Sequence, residues 1–462
     1  MTYTKSTKNV VHLEPTEKLA ALGKMLEAGD ISRYWVEDSS VTEIVKTIKL
    51  FQDMYHEQST VLGENLDILD SLKNVKFDVM IFESYVASGY PLMEYLNIST
   101  FISSLSITHG LSISQSIGEP VMASVVSDAL SPLGDKLGFV DRAMNLFTNI
   151  YFGWMLQYPE YRSFVDPNRV INILAEEPHT SYHFINSNPY LDFPRPTLSK
   201  TVHIGGISVD VEHLKSQKVD QYWDTVLNKR RHTVLVSFGS LTLSKDMPMS
   251  YEIAISKAMK NMNEVTFIWK YEDDDTSFAN NIPNIEFSKW VPQTALLADD
   301  RLTAFLTHGG LGSVNELSYM GKPAILCPLF ADQMRNAKML CRHNGSIEIS
   351  KYDLSNSQQI QNALDTIIND KSYQLSAIKL SKQLNNQPIK PYELLIKHAE
   401  FAAQFGRLPS LDPYSRQMSF VQYFLIDVIA TTIIIISIIV LIIYHVIRRM
   451  VKLVRGTKTK TD

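Results

Sequence analysis

The sequence predicts an α/β protein with a doubly wound parallel sheet, at least two folded domains and one C-terminal membrane helix. Three observations support this prediction. The chain has 462 residues, more than one ordinary hydrophobic core accommodates. Its second half alternates short apolar strands with helices, which is the pattern of βαβ units. An uncharged apolar run near the end is long enough to cross a bilayer.

The first half of the chain is predicted to be mostly helical. Residues 1–75 have the apolar spacing of amphipathic helices, and FDVMIFES (77–84) is predicted as a strand. A helix-rich stretch then continues to about residue 184. Three prolines in INSNPYLDFPRP (185–196) indicate the exit from a first domain.

From residue 233 onward, strands and helices alternate. The predicted strands are TVLVSFGS (233–240), VTFIWKY (265–271), IEFSKWV (285–291), TAFLTHGG (303–310) and PAILCP (323–328), and the predicted helices are MSYEIAISKAMKNM (249–262), VNELSYMG (314–321) and DQMRNAKMLCRH (332–343). Ligands of such sheets bind beyond the carboxyl ends of the strands. Those ends carry the segments SFGS, WVPQ, THGG and PLFADQ, so we expect the binding site there.

Charge and cysteine content exclude several classes of protein. The formal charge is −5, but the residues after 447 include six basic residues and one acid, so the rest of the chain is more acidic still. An acidic body argues against a nucleic-acid partner. Cys327 and Cys341 are too few for a disulfide framework and have no metal-ligand company, which leaves either one bridge or two free thiols.

The run VIATTIIIISIIVLIIYHV (428–446) contains no Asp, Glu, Lys or Arg. It predicts a single transmembrane helix over 422–447, with a buried helix of a soluble protein as the alternative. The basic tail, 448–462, would then lie in the cytosol and the body in a lumen.

Two short features fit a body in the endoplasmic reticulum. Lys458 and Lys460 stand five and three places from the end, a pattern similar to the dilysine retrieval signal of reticulum membrane proteins. Glycosylation sequons begin at Asn97 and Asn344, as a lumenal body would allow.

The segment THGGLGS (307–313) ends a predicted strand and opens a helix. Glycines let the backbone approach a ligand, and a helix N-terminus favours an anion such as phosphate. The turn is neither a P-loop nor a GxGxxG fingerprint, which disfavours a nicotinamide cofactor. The acidic run 272–275 is interpreted as a solvated loop rather than a metal site.

Groups near this turn suit the other parts of a nucleotide sugar. Trp290 offers a flat face to a base, and Gln293 offers an amide beside it. Glu316 can accept hydrogen bonds from ribose hydroxyls, while Asp332 and Gln333 can bind sugar hydroxyls. Base, ribose, phosphate and sugar therefore each have a chemically fitting partner.

Each of these residues also has a purely structural interpretation. Ser313 and Glu316 have the spacing of a capping box, and Asp332 could cap the helix that follows it. Trp290 could belong to the core, and His308 could be a buried, hydrogen-bonded histidine. A ligand site is favoured, because the alternative requires all of these structural interpretations to hold at once at one edge of a sheet.

WVPQ followed by THGGLGSVNELSYMGKPAILCPLFADQMRNA resembles the donor-site signature of the UDP-glycosyltransferases. It is most similar to the membrane-bound UDP-glucuronosyltransferase branch, in an invertebrate style. VSFGS (236–240), SIGEPV (116–121) and LDPYSRQMSFVQYFLIDVIA (411–430) are similar to other segments of that family. The resemblance covers essentially the whole chain.

The resemblance implies a GT-B fold, in which two Rossmann-like domains face each other across a cleft. The implied divisions are an acceptor domain, 1–200, that is incomplete at its start, a UDP-sugar domain, 201–405, an envelope helix returning to the membrane, 406–421, the transmembrane helix, 422–447, and the tail, 448–462. The implied reaction is the inverting, metal-independent transfer of glucuronic acid or glucose from UDP-glucuronate or UDP-glucose to a small lipophilic acceptor hydroxyl.

The resemblance also implies how the donor is bound. Trp290 would stack on uracil, Gln293 would bond to the uridine and Glu316 to the ribose. The diphosphate would be held by Ser240, Thr307, His308, Gly309, Gly310, Gly312 and Ser313, and the sugar hydroxyls by Asp332 and Gln333. Gly312 departs from the Asn of many relatives, so one phosphate contact would come from the backbone alone. No cofactor is implied.

The family's catalytic base is a His near the start of the N-terminal domain, oriented by an Asp. The chain as written has no matching segment or signal peptide, and the surroundings of His12 do not match, so we expect an N-terminally incomplete chain. Glu83 stands at the position of the Asp. Two hypotheses remain: an active transferase, or a non-catalytic UDP-sugar-binding membrane protein acting as a regulatory partner in an oligomer.

Overall fold

The structure is a computed structural model that describes residues 10–27, 32–37, 41–125, 127–155, 161–166 and 168–457. The chain divides into two compact units, residues 1–411 and 412–462. Lys458 and Lys460, the pair predicted as a retrieval signal, lie outside the described residues.

The larger unit is built from two parallel sheets covered by helices, with β3 and β4 forming a separate antiparallel pair. Its described strands are β1 (Met80–Glu83), β2 (Phe101–Leu105), β3 (Tyr161–Arg162), β4 (Val170–Ile171), β5 (His183–Ile185), β6 (Thr201–His203), β7 (His232–Ser237), β8 (Val265–Lys270), β9 (Ile285–Ser288), β10 (Leu302–Thr307), β11 (Ala324–Leu326) and β12 (Ser346–Glu348). Its described α-helices are α1 (Glu17–Glu27), α2 (Val41–Glu64), α3 (Leu66–Asp70), α4 (Gly89–Tyr95), α5 (Leu111–Ile117), α6 (Phe139–Met155), α7 (Ile173–Glu176), α8 (Val211–Ser216), α9 (Gln221–Leu227), α10 (Met249–Lys260), α11 (Gln293–Ala298), α12 (Leu311–Met320), α13 (Gln333–Cys341), α14 (Ser357–Asn369), α15 (Lys371–Asn385) and α16 (Pro391–Phe405).

The first sheet has the strand order β1-β2-β5-β6, with every neighbour parallel. The strand predicted around residues 77–84 is confirmed as β1. The helix-rich stretch predicted up to residue 184 is wrong where β2 and β5 lie. Both are short and mix apolar residues with serine or histidine, so their pattern does not stand out from the surrounding helices.

The second sheet has the order β12-β11-β10-β7-β8-β9, again with parallel neighbours. Each strand predicted from residue 233 onward is confirmed, and β12 is an additional edge strand. The chain builds outward from β7 to β9 on one side, then crosses over and builds from β10 to β12 on the other. The carboxyl ends of β7 and β10 therefore flank the topological switch point, where ligands of such sheets bind.

Two contacts move the division between the domains away from the expected positions. β6 pairs with β5, so the first sheet continues beyond the boundary expected at residue 200. Ala402 of α16 packs with Ile102 and Phe184 of the first sheet, so the chain has returned to the N-terminal domain before residue 405. A three-residue strand and an ordinary amphipathic helix carry no local sign of which sheet they join.

The smaller unit contains α17 (Phe420–Tyr423) and α18 (Ile426–Thr457). The continuous envelope helix expected at 406–421 is wrong, because Gly406 has a φ of 72° at the end of α16 and prolines follow at 409 and 413. Only 3₁₀ turns and the start of α17 occupy that stretch. Over Ile426–Leu453, α18 is long and apolar enough to cross a membrane, with a mean hydropathy of 3.0.

The turn between β10 and α12 is packed closely around His308. A Cβ atom on Gly310 would lie 2.6 Å from Nε2 of His308, and one on Gly239, after β7, would lie 2.7 Å from its Cε1. A Cβ atom on Gly312, in the first turn of α12, would meet nothing within 4 Å. The close approach of His308 therefore requires a glycine at position 310, whereas a side chain at position 312 has room.

Two alanine substitutions should separate these two positions. We expect Gly310→Ala to lower stability by about 1–3 kcal/mol, because the new methyl group displaces the His308 ring. Gly312→Ala should be neutral or stabilise by about 0.5–1 kcal/mol, since alanine is the better helix former and has space. Thermal unfolding midpoints of both variants check this, and an equal loss in the two would contradict it.

Candidate functional site

The residues predicted to bind a ligand gather at the carboxyl ends of β7, β9 and β10. β7 leads through Gly239, with a φ of 92°, to the exposed Ser240. β10 leads from the buried Thr307 through His308 and Gly309 to the start of α12. The turn and the strand order thus place both loops at the switch point of the sheet.

A hydrogen-bonded cluster joins α11 to α12. Nε2 of Gln293 donates to Oε2 of Glu316 at 2.7 Å and to Oγ of Ser313 at 3.1 Å. Oγ1 of Thr294 donates to Oε1 of Glu316 at 3.0 Å. Gly310 occupies the N-cap of α12 and no side chain caps that helix, so the capping-box interpretation of Ser313 and Glu316 is wrong. Their polar atoms point instead toward Gln293.

Trp290 precedes this cluster and is 70% exposed, so the interpretation of Trp290 as a core residue is wrong. Nζ of Lys270 lies 5.8 Å from the centroid of the Trp290 ring. The same Nζ donates to the carbonyl O of Gly239 at 2.9 Å and pairs with Glu272 at 2.5 Å. A large aromatic face therefore stands in water beside a cation at the edge of the site.

Sequence reasoning missed Lys270. The strand VTFIWK is buried at every position, including this lysine, and a buried ammonium group needs partners. The signal available in the sequence was a charged residue at the end of a strand whose other residues are mostly apolar. The acidic run after it, interpreted as a solvated loop, supplies Glu272 as the partner of Lys270.

His308 is neutral in this setting. Burial of the imidazole, followed by the nearby charge of Lys270, lowers the pKa of His308 to about 4. Oγ1 of Thr307 lies 3.4 Å from its Nδ1. At neutral pH the ring therefore presents one N–H donor and one acceptor nitrogen rather than a positive charge.

The loop after β11 brings Asp332 and Gln333 to the same edge. Nδ2 of Asn336 donates to Oδ2 of Asp332 at 2.8 Å and to the carbonyl O of Gly309 at 3.1 Å, which links this loop to the glycine turn. Asp332 occupies the N-cap position of α13 but makes no capping bond, so that alternative is wrong. Burial raises the pKa of Asp332.

The side chain of Gln333 bonds to the backbone of the loop after β11, which its position in the sequence does not indicate. Its Oε1 accepts hydrogen bonds from the backbone N–H of Leu329 at 2.9 Å and of Phe330 at 3.1 Å. A ligand would consequently meet Nε2 of Gln333 rather than its oxygen.

Glu83 ends β1 in the N-terminal domain and connects to α12 through hydrogen bonds. Its Oε2 accepts from the N–H of Ser106 at 2.9 Å. Asn186 donates to the carbonyl O of Ser106 at 2.8 Å and accepts from Nδ2 of Asn315 on α12 at 3.1 Å. Burial raises the pKa of Glu83 to about 7, with the Ser106 hydrogen bond acting in the opposite direction.

Cys327 is buried and Cys341 is partly buried. The sequence left either a disulfide bridge or two free thiols, and the structure has two free thiols. Burial raises the pKa of Cys341 to about 11, which keeps it protonated and poorly nucleophilic. Across the described ranges, no group of three or more His, Cys, Asp and Glu residues is placed to hold a metal ion.

The sequence is similar to those of known proteins over most of its length. The sequence matches the family described as "UDP-glucoronosyl and UDP-glucosyl transferase" over residues 15–461. UDP-glucuronosyltransferase 1-2 of Rattus norvegicus is 27% identical over 407 residues, which are 87% of this chain and 74% of the relative. UDP-glucuronosyltransferase 1A6 of Homo sapiens is 27% identical over 387 residues, 81% and 70% of the two chains.

Solved structures agree at the level of the fold. Os79 from O. sativa in complex with UDP superposes with a TM-score of 0.55 at 14% identity, covering 80% of this chain and 87% of that chain. The glycotransferase of kitacinnamycin gives a TM-score of 0.52 at 15% identity, covering 80% and 84%. The two parallel sheets form a GT-B fold, and the match over residues 15–461 shows that this chain belongs to the UDP-glycosyltransferase family.

Proposed function

We propose that this protein transfers a glycosyl group, glucuronic acid or glucose, from a UDP-sugar to a hydroxyl of a small lipophilic acceptor, with inversion and without a metal. The observation that carries the proposal is the bonded cluster of Gln293, Ser313 and Glu316 at the carboxyl end of the second sheet, with the exposed Trp290 ring three residues before Gln293. Family membership and the UDP bound to similar solved structures support the choice of nucleotide.

The uridine would occupy this end of the site. Trp290 offers an uncovered ring on which uracil stacks, and the Gln293 amide beside it bonds to the edge of the base. The carboxylate of Glu316, oriented by Gln293 and Thr294, retains acceptor capacity for ribose hydroxyls. These contacts orient the nucleotide before any chemistry occurs.

The diphosphate would lie over the glycine turn. The backbone N–H groups at the start of α12, which no side chain caps, would donate to it, together with the hydroxyls of Ser240 and Ser313. Lys270 adds a positive charge near Gly239, and the neutral His308 can donate one hydrogen bond. As the sugar departs, the negative charge that develops on UDP is stabilised by donors already in place.

The sugar would extend from the diphosphate toward the loop of Asp332 and Gln333. Asp332 can accept from sugar hydroxyls and Nε2 of Gln333 can donate to them. Asn336 joins this loop to Gly309, so the diphosphate and sugar contacts keep a fixed spacing.

Glu83 would act as the general base and take the proton of the acceptor hydroxyl directly. Its pKa of about 7 suits a group that must be partly ionised near neutrality and still attract a proton. As the proton leaves, the acceptor oxygen attacks the anomeric carbon from the face opposite UDP, and the bond to the diphosphate oxygen breaks. The stereochemistry at the anomeric carbon is thereby inverted.

The apolar helix α18 supports attachment to a membrane as a single span. We propose residence in the endoplasmic reticulum with the folded body in the lumen and the basic C-terminus in the cytosol. Protease protection of the body in sealed microsomes tests this orientation.

A transfer assay tests the activity. The purified chain is incubated with UDP-glucose or UDP-glucuronate and a panel of phenols, and both the glycoside and UDP are quantified. We expect stoichiometric formation of the two products with one of the donors. Binding of UDP without any transfer would instead favour a UDP-sugar-binding regulatory protein.

The pH dependence should report the ionisation of Glu83. Because the base must be deprotonated, kcat/KM should rise with pH through about 7. Glu83→Gln should lower kcat by about 10²–10⁴-fold and leave UDP affinity unchanged. Asp78→Asn, an exposed acid before β1, is the matched control and should keep the wild-type profile. A Glu83→Gln variant with near-normal turnover would refute this assignment.

Asp332 and Trp290 should differ in which ligand they affect. Asp332→Ala should weaken UDP-sugar binding by about 1.5–3 kcal/mol, as expected for loss of a charge-assisted hydrogen bond, and leave UDP binding nearly unchanged. Trp290→Ala should weaken both ligands equally, by about 1–3 kcal/mol for lost stacking. Calorimetric titration with each ligand makes the comparison, and equal losses in Asp332→Ala would contradict its sugar contact.

A further inference from the structure

A short segment of the N-terminal half is buried in the C-terminal domain. Residues 32–37, here called the aromatic strap, include Tyr34 and Trp35, whose side chains are 2% and 0% exposed. Both belong to an apolar cluster of the second sheet that also contains Phe238 and Phe330. Those two phenylalanines lie in the loops that carry Ser240 and Asp332.

Trp35 contacts both ends of the loop after β7. Its ring meets the Phe238 ring edge-on, with centroids 4.9 Å apart. Its Nε1 donates a hydrogen bond to the carbonyl O of Leu243 at 3.3 Å. Ser240 lies between these two contacts in the sequence, so Trp35 fixes the span of the loop that presents it.

Tyr34 contacts the loop after β11. Its ring stacks on Phe330 with centroids 4.6 Å apart and planes inclined by 7°. The next residue, Ala331, has a φ of 55°, a left-handed conformation that costs free energy in a residue with a Cβ atom. Asp332 follows directly. A contact that fixes Phe330 therefore helps to keep Asp332 in place against the tendency of the loop to relax.

The backbone of the aromatic strap is anchored independently of these rings. Nζ of Lys351 donates to the carbonyl O of Tyr34 at 2.9 Å and to that of Glu37. The hydroxyl of Tyr352 donates to the carbonyl O of Val36 at 3.4 Å. Lys351 is itself buried, and the strap carbonyls help to satisfy its ammonium group. The two rings are thereby held against the loops.

We propose that Tyr34 and Trp35 are positioning residues for the donor: through Phe238 and Phe330 they hold the loops of Ser240 and Asp332 in the shape that binds a nucleoside diphosphate sugar. They act on the loops and do not touch the ligand. The inference rests on the proposed function in its choice of UDP-sugars as the probes.

Calorimetric titration of the full chain in detergent with UDP-glucose and UDP-glucuronate tests the proposal. Because Tyr34 acts on the loop of Asp332, Tyr34→Ala should bind the UDP-sugar about tenfold more weakly, equivalent to about 1.4 kcal/mol. Tyr34→Phe, the conservative variant, keeps the stacked ring and should restore the affinity. Tyr182→Ala is the matched control, because this buried tyrosine packs on His398 and Phe401 in the first domain's cluster. It should lower the thermal midpoint without changing UDP-sugar affinity.

Two further measurements separate positioning from a general loss of stability. Ala331→Gly removes the cost of the positive φ, so adding it to Tyr34→Ala should recover most of the UDP-sugar affinity. Without ligand, the amides of Leu329 and Phe330 should exchange hydrogen faster in Tyr34→Ala than in the wild type, because the Gln333 bonds open more often.

The outcomes decide between the proposals. Unchanged affinity in a folded Tyr34→Ala chain would overturn the role of the strap, and so would an equal loss of affinity in Tyr182→Ala. A wild-type chain that binds neither UDP-sugar would refute the proposed function instead. In that case, or if Tyr34→Ala lowers UDP-sugar affinity by unfolding part of the chain, the milder Tyr34→Leu variant decides. Unchanged hydrogen-exchange rates at Leu329 and Phe330 in that variant would overturn the role of the strap.

Discussion

The buried ion pair between Asp192 and Arg335 is the interaction on which the placement of the two sheets depends. Nη2 of Arg335 lies 2.6 Å from Oδ1 of Asp192, and the two side chains are 1% and 4% exposed. Oγ of Ser187 donates to the other carboxylate oxygen at 2.7 Å. Burial opposes ionisation, but the guanidinium charge and these hydrogen bonds hold the pKa of Asp192 well below its usual range. Removing one partner would leave an uncompensated buried charge, at a cost of about 3–5 kcal/mol.

The segment that carries Asp192 also holds the helix after the glycine turn. Asn186 accepts from Asn315, and Asn188 donates to the hydroxyl of Tyr319, both on α12. Arg335 lies on α13, three residues after Asp332. One stretch after β5 is thereby bonded to two of the three helices that bear predicted donor residues, α12 and α13. Polar contacts therefore join this stretch to the helices of the donor site, in addition to the covalent connection between the domains.

Sequence periodicity predicted five of the six strands of the second sheet, because each of those five is a compact, largely apolar run. Gln293, Ser313 and Glu316 were predicted to belong to one site and are hydrogen-bonded to one another. What the sequence did not show depends on distant partners. Asp192 and Arg335 are 143 residues apart, and neither has a local pattern that indicates the other. The same holds for the strap, whose aromatic residues resemble ordinary core positions, and for β6, whose three residues are too few to show a period.

The exposure of Trp290 has a thermodynamic consequence. Most of an indole ring stands in water, although such surface is favourably removed from water at about 25 cal/mol per Å². Covering apolar surface lowers the heat capacity, so a planar ligand that lies on this ring should bind with an enthalpy that becomes more favourable as the temperature rises. The affinity of the site would then vary less with temperature than its enthalpy does, because the entropy changes in compensation. The exposed face of Trp290 would thus contribute to ligand affinity through the apolar surface that the ligand removes from water.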